Sequence, residues 1–304
     1  MIIVTGGAGF IGANLIQRLN LDNRRDIIVV DNIKKNQKNL NKITYRDYFD
    51  KQDFLKKLEN KKFNSIKGLT SIIHLGACSD TTETNWDYLK YNNIYYTKKL
   101  YQLSKSHNSQ FIYASSASVY GIKSGEQKRN TYNLKPLNLY AKSKYELDQY
   151  FFKNKKKVMS LRFFNVYGKF EDHKAHMSSP VSKFLKQLKR YKQCQVFNFK
   201  NKKEAKRDFV LVDDAIDILL FLKERKKTGI FNIGSGKAEA FSKIAKILIS
   251  NLGYGNLKYV NFPDKLNNKY QYFTKANISK LRTLGYKKNI KKAEIGIKFF
   301  LGHI

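Results

Sequence analysis

The sequence predicts an α/β protein with a doubly wound parallel (Rossmann-type) sheet, and two observations support this prediction. Short runs of apolar and β-branched residues recur through the first half of the chain, in the form of strands that are buried on both faces. Segments with helical periodicity separate these runs, and such alternation is typical of parallel sheets covered by helices. The strands are expected at Ile2–Thr5, Ile27–Asp31, Ser71–His74, Phe111–Ala114 and Val158–Arg162, and the helices at Gly12–Leu21, Asp53–Glu59, Tyr88–His107 and Lys142–Lys153.

The alternation weakens after about Asn165, and a smaller mixed domain is expected there. We assign residues 1–165 to the Rossmann domain and residues 166–304 to the smaller domain. Residues 207–232 are expected to return to the larger domain, because a strand-like run precedes a helical one. The elements predicted in this half are helices at Ser182–Tyr191, Asp213–Glu224 and Lys243–Leu252, a strand near Val196 and a strand at Asp208–Val212.

The net charge is unusually positive: the chain has 59 Lys and Arg residues and 24 Asp and Glu residues, which gives +35. Such a balance often indicates a nucleic-acid partner. Here the lysines are spread from Lys34 to Lys292 rather than gathered in one patch, and a drift in composition explains them better. We therefore expect no nucleic-acid partner, although an acidic, phosphate-bearing substrate would also suit the charge.

Length and cysteine content point to an ordinary globular protein of the cytoplasm. The 304 residues are enough for a substantial core, and the longest apolar runs fall far short of the ~18 residues of a membrane span. No secretory signal is recognised at the N-terminus. The two cysteines, Cys78 and Cys194, are too few for a disulfide framework and fit no metal site, so reduced thiols and no bound metal are expected.

A glycine-rich segment follows the first strand. Gly6, Gly9 and Gly12 form a GxxGxxG pattern at the start of a helix, and Asp31 ends the next strand about 20 residues further on. Gly6 suits a tight turn, Gly9 lets the backbone approach a pyrophosphate, and Gly12 allows close packing of helix on sheet. This βαβ unit predicts a site for a nicotinamide dinucleotide.

The choice between NAD and NADP rests on the residues around Asp31. Its carboxylate would accept a hydrogen bond from the adenosine ribose and repel a 2′-phosphate, which favours NAD. Asn32 and the cations Lys34, Lys35 and Lys38 stand where a 2′-phosphate would lie. We expect NADP, with NAD as the alternative.

A second pattern indicates proton chemistry. Tyr140 and Lys144 form a YxxxK motif on one face of a predicted helix, and Ser116 ends a predicted strand. A tyrosine with an ordinary pKa of about 10 needs the lysine cation and a positively charged nicotinamide to take a proton from an alcohol near neutral pH. Ser116 can bind the same oxygen. These three residues are the candidate catalytic set.

These motifs together resemble the extended short-chain dehydrogenase/reductase superfamily, whose members act on nucleotide sugars. Longer segments resemble the ADP-L-glycero-D-manno-heptose 6-epimerase family over essentially the whole chain. They are His74–Ser79, Arg162–Gly168, His173-Lys174, Arg207–Val210, Gly229–Gly234 and Phe262–Leu266. The resemblance implies epimerisation at carbon 6 of an ADP-heptose, for lipopolysaccharide precursor synthesis, through a transient ketone.

The resemblance also implies roles for particular residues. Lys174 would be a second catalytic acid/base, although without the family a solvated loop lysine is the simpler interpretation. Contacts with the cofactor are implied for Phe10, Ile11, Lys38, Lys51, Leu75, Gly76, Ala77, Cys78, Ser79, Asn92, Lys144, Val166 and Lys174. Contacts with the substrate are implied for Asn165, His176, Lys183, Phe197, Arg207 and Tyr270. A homo-oligomer, with a pentamer as one candidate, is implied as well.

Two other functions stay open at this point. Another nucleotide-sugar epimerase, such as a UDP-hexose 4-epimerase, would use the same motifs. A dehydratase is less suitable, because Ala117 and Ser118 stand where dehydratases carry an Asp-Glu pair. A dinucleotide-binding protein without catalytic activity would show a broken Ser, Tyr and Lys set, and this chain keeps all three residues.

Overall fold

A central sheet of seven parallel strands organises the molecule, so the predicted fold class is confirmed. The computed structural model describes residues 1–32, 38–63, 66–122, 133–199, 204–263 and 270–304. All neighbouring strands of the sheet run parallel. In spatial order they are β10 (Gly229–Ile233), β6 (Met159–Phe163), β5 (Gln110–Ser116), β4 (Ser71–His74), β1 (Ile2–Thr5), β2 (Ile27–Asp31) and β3 (Asp47–Asp50).

Helices cover both faces of this sheet. The described helices of the first half are α1 (Phe10–Leu21), α2 (Lys51–Glu59), α3 (Trp86–Leu89), α4 (Tyr96–Ser106) and α5 (Leu139–Lys153). In the second half they are α6 (Pro180–Tyr191), α7 (Val212–Glu224), α8 (Phe241–Leu252), α9 (Ser279–Thr283) and α10 (Ala293–Leu301), of which α6, α8 and α10 pack against the smaller sheets described below. The helix expected at 88–107 forms, but a π-helical stretch, Lys90–Tyr95, separates α3 from α4. Short 3₁₀ helices lie at Ala117–Tyr120 and Asp172–Met177.

Two apolar cores explain why the strands are apolar on both faces. In β1, Ile2 and Val4 belong to a core shared with α1 and α7, whereas Ile3 belongs to a core shared with α2, α4 and α5. Successive side chains of a strand point to opposite faces, so a strand between two helical layers needs apolar residues at every position. The short apolar runs of the sequence meet this requirement.

Two smaller sheets lie outside the central one. A three-stranded sheet has the order β11 (Ala238–Ala240), β9 (Lys206–Leu211) and β7 (Asn165–Tyr167), and β8 (Gln193–Asn198) pairs in parallel with β12 (Asn256–Asn261). A third core, with side chains of α6, α8 and α10, packs against them. Among the described residues, no helix is both long and apolar enough to cross a membrane.

The strand expected at 208–212 forms as β9, but its place in the fold differs from the expectation. It pairs with β7 and β11 instead of joining the central sheet. The strand that joins the central sheet is β10, which follows α7 and lies beside β6. An apolar run predicts a buried strand but does not say which sheet edge it will meet, and here β7 supplies an edge for β9.

The order of the strands also creates a crevice. From β1 the chain builds outward through β2 and β3, while β4, β5, β6 and β10 extend the sheet in the other direction. The connections therefore diverge between β1 and β4, and ligands of open α/β sheets bind at the carboxyl ends of the strands at such a point.

Candidate active site

The glycine-rich turn lies at this crevice, and its geometry requires glycine. Gly6 has a φ of +67°, and a Cβ atom there would lie 2.5 Å from the backbone nitrogen of Gly76. A Cβ atom on Gly12 would lie 2.0 Å from the carbonyl oxygen of Gly6. The turn is thus packed against both α1 and the loop after β4. Gly9 precedes α1 directly, so the N-terminal N–H groups of this helix open onto the crevice.

A cleft of about 450 Å³ occupies this position, at the ends of β1, β2 and β4. Most residues predicted to bind a cofactor line it: Gly6, Gly9, Phe10, Ile11, Gly12, Asp31, Asn32, Lys51, Leu75, Gly76, Ala77, Cys78, Ser79, Asn92 and Lys174. Lys38, Lys144 and Val166 do not. Lys38 is exposed, and Val166 is packed in an apolar core. Lys34 and Lys35, which were predicted to favour NADP, lie outside the described residues.

Asp31 and Lys51 define the end of the cleft at β2. The Asp31 carboxylate accepts hydrogen bonds from the N–H groups of Ala8, at 2.9 Å, and Asn32, at 2.7 Å. The Lys51 ammonium donates to the side-chain oxygen of Asn92 at 2.6 Å. A carboxylate, a cation and a helix N-terminus around one glycine turn are the groups that a ribose and a pyrophosphate need, so these residues fit a nicotinamide dinucleotide.

Asn93 ties the wall of this cleft to α5. It is fully buried, exchanges two hydrogen bonds with the backbone of Cys78, at 2.9 and 3.1 Å, and donates to the Ser143 hydroxyl at 2.9 Å. Sequence reasoning selected its neighbour Asn92 and missed Asn93. The adjacent Asn92-Asn93 pair was the available signal. Neighbouring side chains on a helix point in different directions, so both amides could have been expected to bind, each with its own partner.

The candidate catalytic residues meet beside the Cys78 wall. Asn138 caps α5 by accepting from the N–H group of Ala141 at 2.8 Å, which places Tyr140 in the first turn. The Tyr140 hydroxyl is hydrogen-bonded to Ser116 at the end of β5. Lys144, one turn later, is 3% exposed and donates to the carbonyl oxygen of Ala114 at 2.8 Å. The structure therefore brings Ser116, Tyr140 and Lys144 to one place.

Burial dominates the proton affinities of this group. It raises the pKa of the Tyr140 hydroxyl, and the hydrogen bond with Ser116 opposes that rise. It lowers the pKa of the Lys144 ammonium to about 8. The sequence predicted a lowered pKa for Tyr140. These side chains alone do not produce it, because the cost of desolvating the phenolate outweighs the hydrogen bond with Ser116.

Asp148 supports Lys144 from one turn further along α5. Its fully buried carboxylate accepts from the Arg162 guanidinium at 2.8 and 2.6 Å and from Ser160 at 2.9 Å. Its charge raises the pKa of Lys144 and so opposes the effect of burial. Sequence reasoning missed Asp148, although an acid four residues after Lys144 on a helix was a visible signal.

Lys174 reaches the cleft from the side of the glycine turn. Its ammonium lies 5.2 Å from the centre of the Phe10 ring, and both residues line the cleft. Burial lowers the pKa of Lys174, and the carboxylate of Glu171 opposes that shift. Its neighbour His173 lies 3.2 Å from the side-chain nitrogen of Asn39.

Glu171 holds the segment that carries Lys174. The buried carboxylate accepts from the N–H group of Gly168 at 3.0 Å, and from the N–H and hydroxyl groups of Ser179 at 2.6 and 2.8 Å. These bonds close the chain from residue 168 to residue 179 around the 3₁₀ helix. The pattern of the sequence did not indicate this role, since the hydrogen bonds link residues whose spacing has no helical or strand period.

The predicted substrate residues form a second group. Arg207, on β9, is 7% exposed, is hydrogen-bonded to Tyr270, and stacks 5.0 Å from the centre of that ring. Phe197 is 36% exposed and meets Phe262 edge to face at 5.3 Å. The aromatic rings that join them are Phe199, Phe262 and Tyr272. Phe262 belongs to a segment that carries the family resemblance, whereas the sequence did not single out Phe199 or Tyr272.

The other three predicted substrate residues do not belong to either group. Asn165 begins β7, Lys183 lies exposed on α6, and the His176 ring nitrogen Nε2 lies 3.3 Å from the Asp80 carboxylate. Gln271, which sequence reasoning missed, donates to the carbonyl oxygens of Ala117 and Gly121 at 3.3 and 2.9 Å. These two hydrogen bonds connect the segment that contains Tyr270 to the turn that follows Ser116.

The fold and the cleft define the class of protein: an α/β protein of the short-chain dehydrogenase/reductase type that binds a nicotinamide dinucleotide. The model of the NAD dependent epimerase/dehydratase family matches residues 2–234, so the chain belongs to that family.

Two relatives that carry the same enzyme name show which members of this family the chain resembles. The chain is 42% identical to the ADP-L-glycero-D-manno-heptose-6-epimerase of Brachyspira hyodysenteriae, over 98% of this chain and 96% of the relative. It is 39% identical to the enzyme of that name from Alkalilimnicola ehrlichii, over 99% and 96%. The resemblance predicted from the sequence motifs is confirmed.

Solved structures agree with this grouping. The crystal structure of Helicobacter pylori ADP-L-glycero-D-manno-heptose-6-epimerase matches with a TM-score of 0.86 and 28% identity, over 99% of this chain and 95% of the other. UDP-glucuronic acid 4-epimerase from Bacillus cereus, in complex with UDP-glucuronic acid and NAD, matches with a TM-score of 0.81 and 24% identity, over 99% and 98%. The second match shows a common fold only.

Proposed function

We propose that this chain is an isomerase that interconverts ADP-D-glycero-D-manno-heptose and ADP-L-glycero-D-manno-heptose at carbon 6, for lipopolysaccharide core precursors. Two relatives at 42% and 39% identity over nearly their full length carry the name of this activity. The observation that supports the reaction best is that proton-transfer groups lie at two sides of the dinucleotide cleft: Lys174 lines it, and Tyr140 lies beside its Cys78 wall. Tyr140 comes from α5, and Lys174 comes from the 3₁₀ helix beside the glycine turn.

The reaction needs a hydride to leave carbon 6 and to return on the opposite face, with a proton removed from the hydroxyl group and then given back. The dinucleotide, when bound, accepts and returns that hydride, so the net redox change is zero. On the protein side, Tyr140 takes the hydroxyl proton as the ketone forms, while Ser116 binds the same oxygen. The Lys144 cation below them favours the tyrosinate form.

Lys174 supplies the second acid/base. The ketone must turn within the site before the hydride returns, so its oxygen then faces a different part of the protein. Burial makes the Lys174 ammonium a stronger acid than an exposed lysine, which suits proton donation to that oxygen. After the hydride has returned, Tyr140 releases its proton to solvent and Lys174 regains one from solvent. Glu171 favours this reprotonation, because its carboxylate raises the pKa of Lys174.

We assign the remaining contacts on the same basis. The planar guanidinium of Arg207 would bind the ADP diphosphate, with Tyr270 against its face and Phe197 at the edge of the aromatic group. Asn165, His176 and Lys183 would contact the sugar. For the cofactor we favour NADP, because both oxygens of Asp31 already accept backbone N–H groups and Asn32 and Lys51 flank it. We also propose a cytoplasmic homo-oligomer, with a pentamer as the first form to test.

The test is a product assay on the purified protein. It is incubated with ADP-D-glycero-D-manno-heptose without added cofactor, and chromatography separates the two epimers. Acid then releases the bound dinucleotide, which is identified as NADP or NAD. We expect both epimers and mostly NADP. Turnover of a UDP-hexose without conversion of the heptose would overturn the proposal in favour of the 4-epimerase alternative, and no conversion of either sugar would favour a non-catalytic protein.

A further inference from the structure

Tyr96 has a buried hydroxyl group in the wall of the cleft. It is the first residue of α4, lines the cleft and is 6% exposed. Its hydroxyl group has no hydrogen-bond partner among the residues that the structure describes. Burying a hydroxyl group without a partner costs free energy, so folded proteins satisfy nearly all such groups. An unpaired hydroxyl group beside a ligand cleft therefore indicates that the ligand provides the partner.

The surroundings of Tyr96 show which half of the ligand it would meet. Its hydroxyl group lies within electrostatic reach of the Asp31 and Asp50 carboxylates, at the ends of β2 and β3. In dinucleotide folds, the acid at the end of the second strand binds the adenosine ribose, so this is the adenosine end of the cleft.

The Tyr96 ring is also held in place. It belongs to the apolar core beneath the sheet and lies 5.9 Å from the His74 ring, centre to centre. Burial and the two carboxylates raise the pKa of its hydroxyl group, which therefore stays protonated and able to donate. A rigid donor with no partner among the described residues is pre-organised, since binding a ligand there costs little side-chain entropy.

We propose that the Tyr96 hydroxyl group forms a hydrogen bond with the adenosine half of the bound nicotinamide dinucleotide. Tyr96 would thus be a further cofactor-binding residue, in addition to the residues that the sequence motifs imply. It rests on dinucleotide binding and not on the sugar that is epimerised.

Tyr96→Phe tests the proposal, because it removes the hydroxyl group and keeps the ring. Binding of ADP-ribose, which contains the adenosine half without nicotinamide, is measured by calorimetry after bound dinucleotide has been removed. We expect affinity to fall about three- to tenfold, the usual effect of one neutral hydrogen bond. The rate at which the dinucleotide leaves the holoprotein should rise by a similar factor.

A second readout separates this role from a structural one. Without ligand, the melting temperature of the Tyr96→Phe variant should equal or exceed that of the parent, because a buried unpaired hydroxyl group has been removed. Tyr91→Phe is the matched control, since Tyr91 lies one helical turn earlier and is 44% exposed. It should change neither quantity.

Two results would overturn the proposal: unchanged ADP-ribose affinity in Tyr96→Phe, or a lower melting temperature without ligand, which would mean that the hydroxyl group has a partner in the protein. These results are independent of the proposed reaction. If the parent protein binds ADP-ribose but converts no heptose, only the proposed function fails.

Discussion

The dinucleotide cleft and the Arg207 group are built in different ways. The cleft is formed by the carboxyl ends of neighbouring strands in one sheet, and its main contacts are backbone groups at Gly6, Gly9 and the start of α1. The Arg207 group joins β9 to the separate segment that contains Tyr270, and the contacts between Arg207 and Tyr270 are made by their side chains. One site depends on backbone geometry and the other on packing between distant segments.

This difference predicts how each region tolerates substitution. A glycine turn that accepts no Cβ atom fixes the cofactor whatever the substrate, so changes elsewhere should leave cofactor binding intact. A buried arginine held by aromatic rings can change its partner when a ring or a charge changes. Substitutions in the second region should therefore alter substrate binding without loss of cofactor.

The largest effect is expected for Tyr140→Phe, which separates catalysis from cofactor binding. Loss of the general acid/base should lower kcat by about 10²- to 10⁴-fold. The amount of bound dinucleotide should stay the same, because Tyr140 does not line the dinucleotide cleft. Epimer formation and acid-released cofactor are measured together. The control is Tyr150→Phe on the same helix, and an unchanged kcat in Tyr140→Phe would remove this residue from the mechanism.

A smaller effect is expected for Arg207→Lys, which tests the second region alone. A lysine keeps the charge but loses the planar fork and the stacking on Tyr270. We expect KM for the ADP-sugar to rise on the order of 10-fold, with cofactor content unchanged. Arg190→Lys is a matched control, because Arg190 also stacks on a tyrosine, at 5.1 Å, on the surface. Loss of cofactor in Arg207→Lys would contradict the division into two regions.

The smallest effect is expected for Glu171→Gln, at the segment that carries Lys174. Since the Glu171 carboxylate raises the pKa of Lys174, its removal should let that pKa fall further. Lys174 would then lose its proton at a lower pH, and the alkaline limb of the kcat profile that depends on it should shift to lower pH.

Asp172→Asn is the control for that profile, because Asp172 is adjacent and its side chain is 96% exposed. A merely structural role for Glu171 would lower the amplitude and leave the shape unchanged. Such a result would argue against its electrostatic action on Lys174.

Several features of the site could be read from the sequence because each is local. GxxGxxG after an apolar strand, and Tyr140 with Lys144 at helical spacing, place their groups by backbone geometry alone. Supporting residues such as Asn93, Glu171 and Gln271 were missed, because their partners are distant in sequence or follow no period. A neutral amide such as that of Asn93 or Gln271 can be exposed to water or can bind many different partners. Only the folded chain shows which partner it binds.

The sequence by itself determined the central sheet, the glycine turn and the candidate catalytic set, since strand and helix periods reflect burial on known faces. Only the tertiary structure decided that β9 joins the smaller sheet while β10 completes the larger one. Likewise, only the folded chain showed that burial lowers the pKa of Lys144 to about 8 while Asp148 opposes that shift. Edge pairing and desolvation depend on which distant segments pack together, and no local pattern encodes that choice.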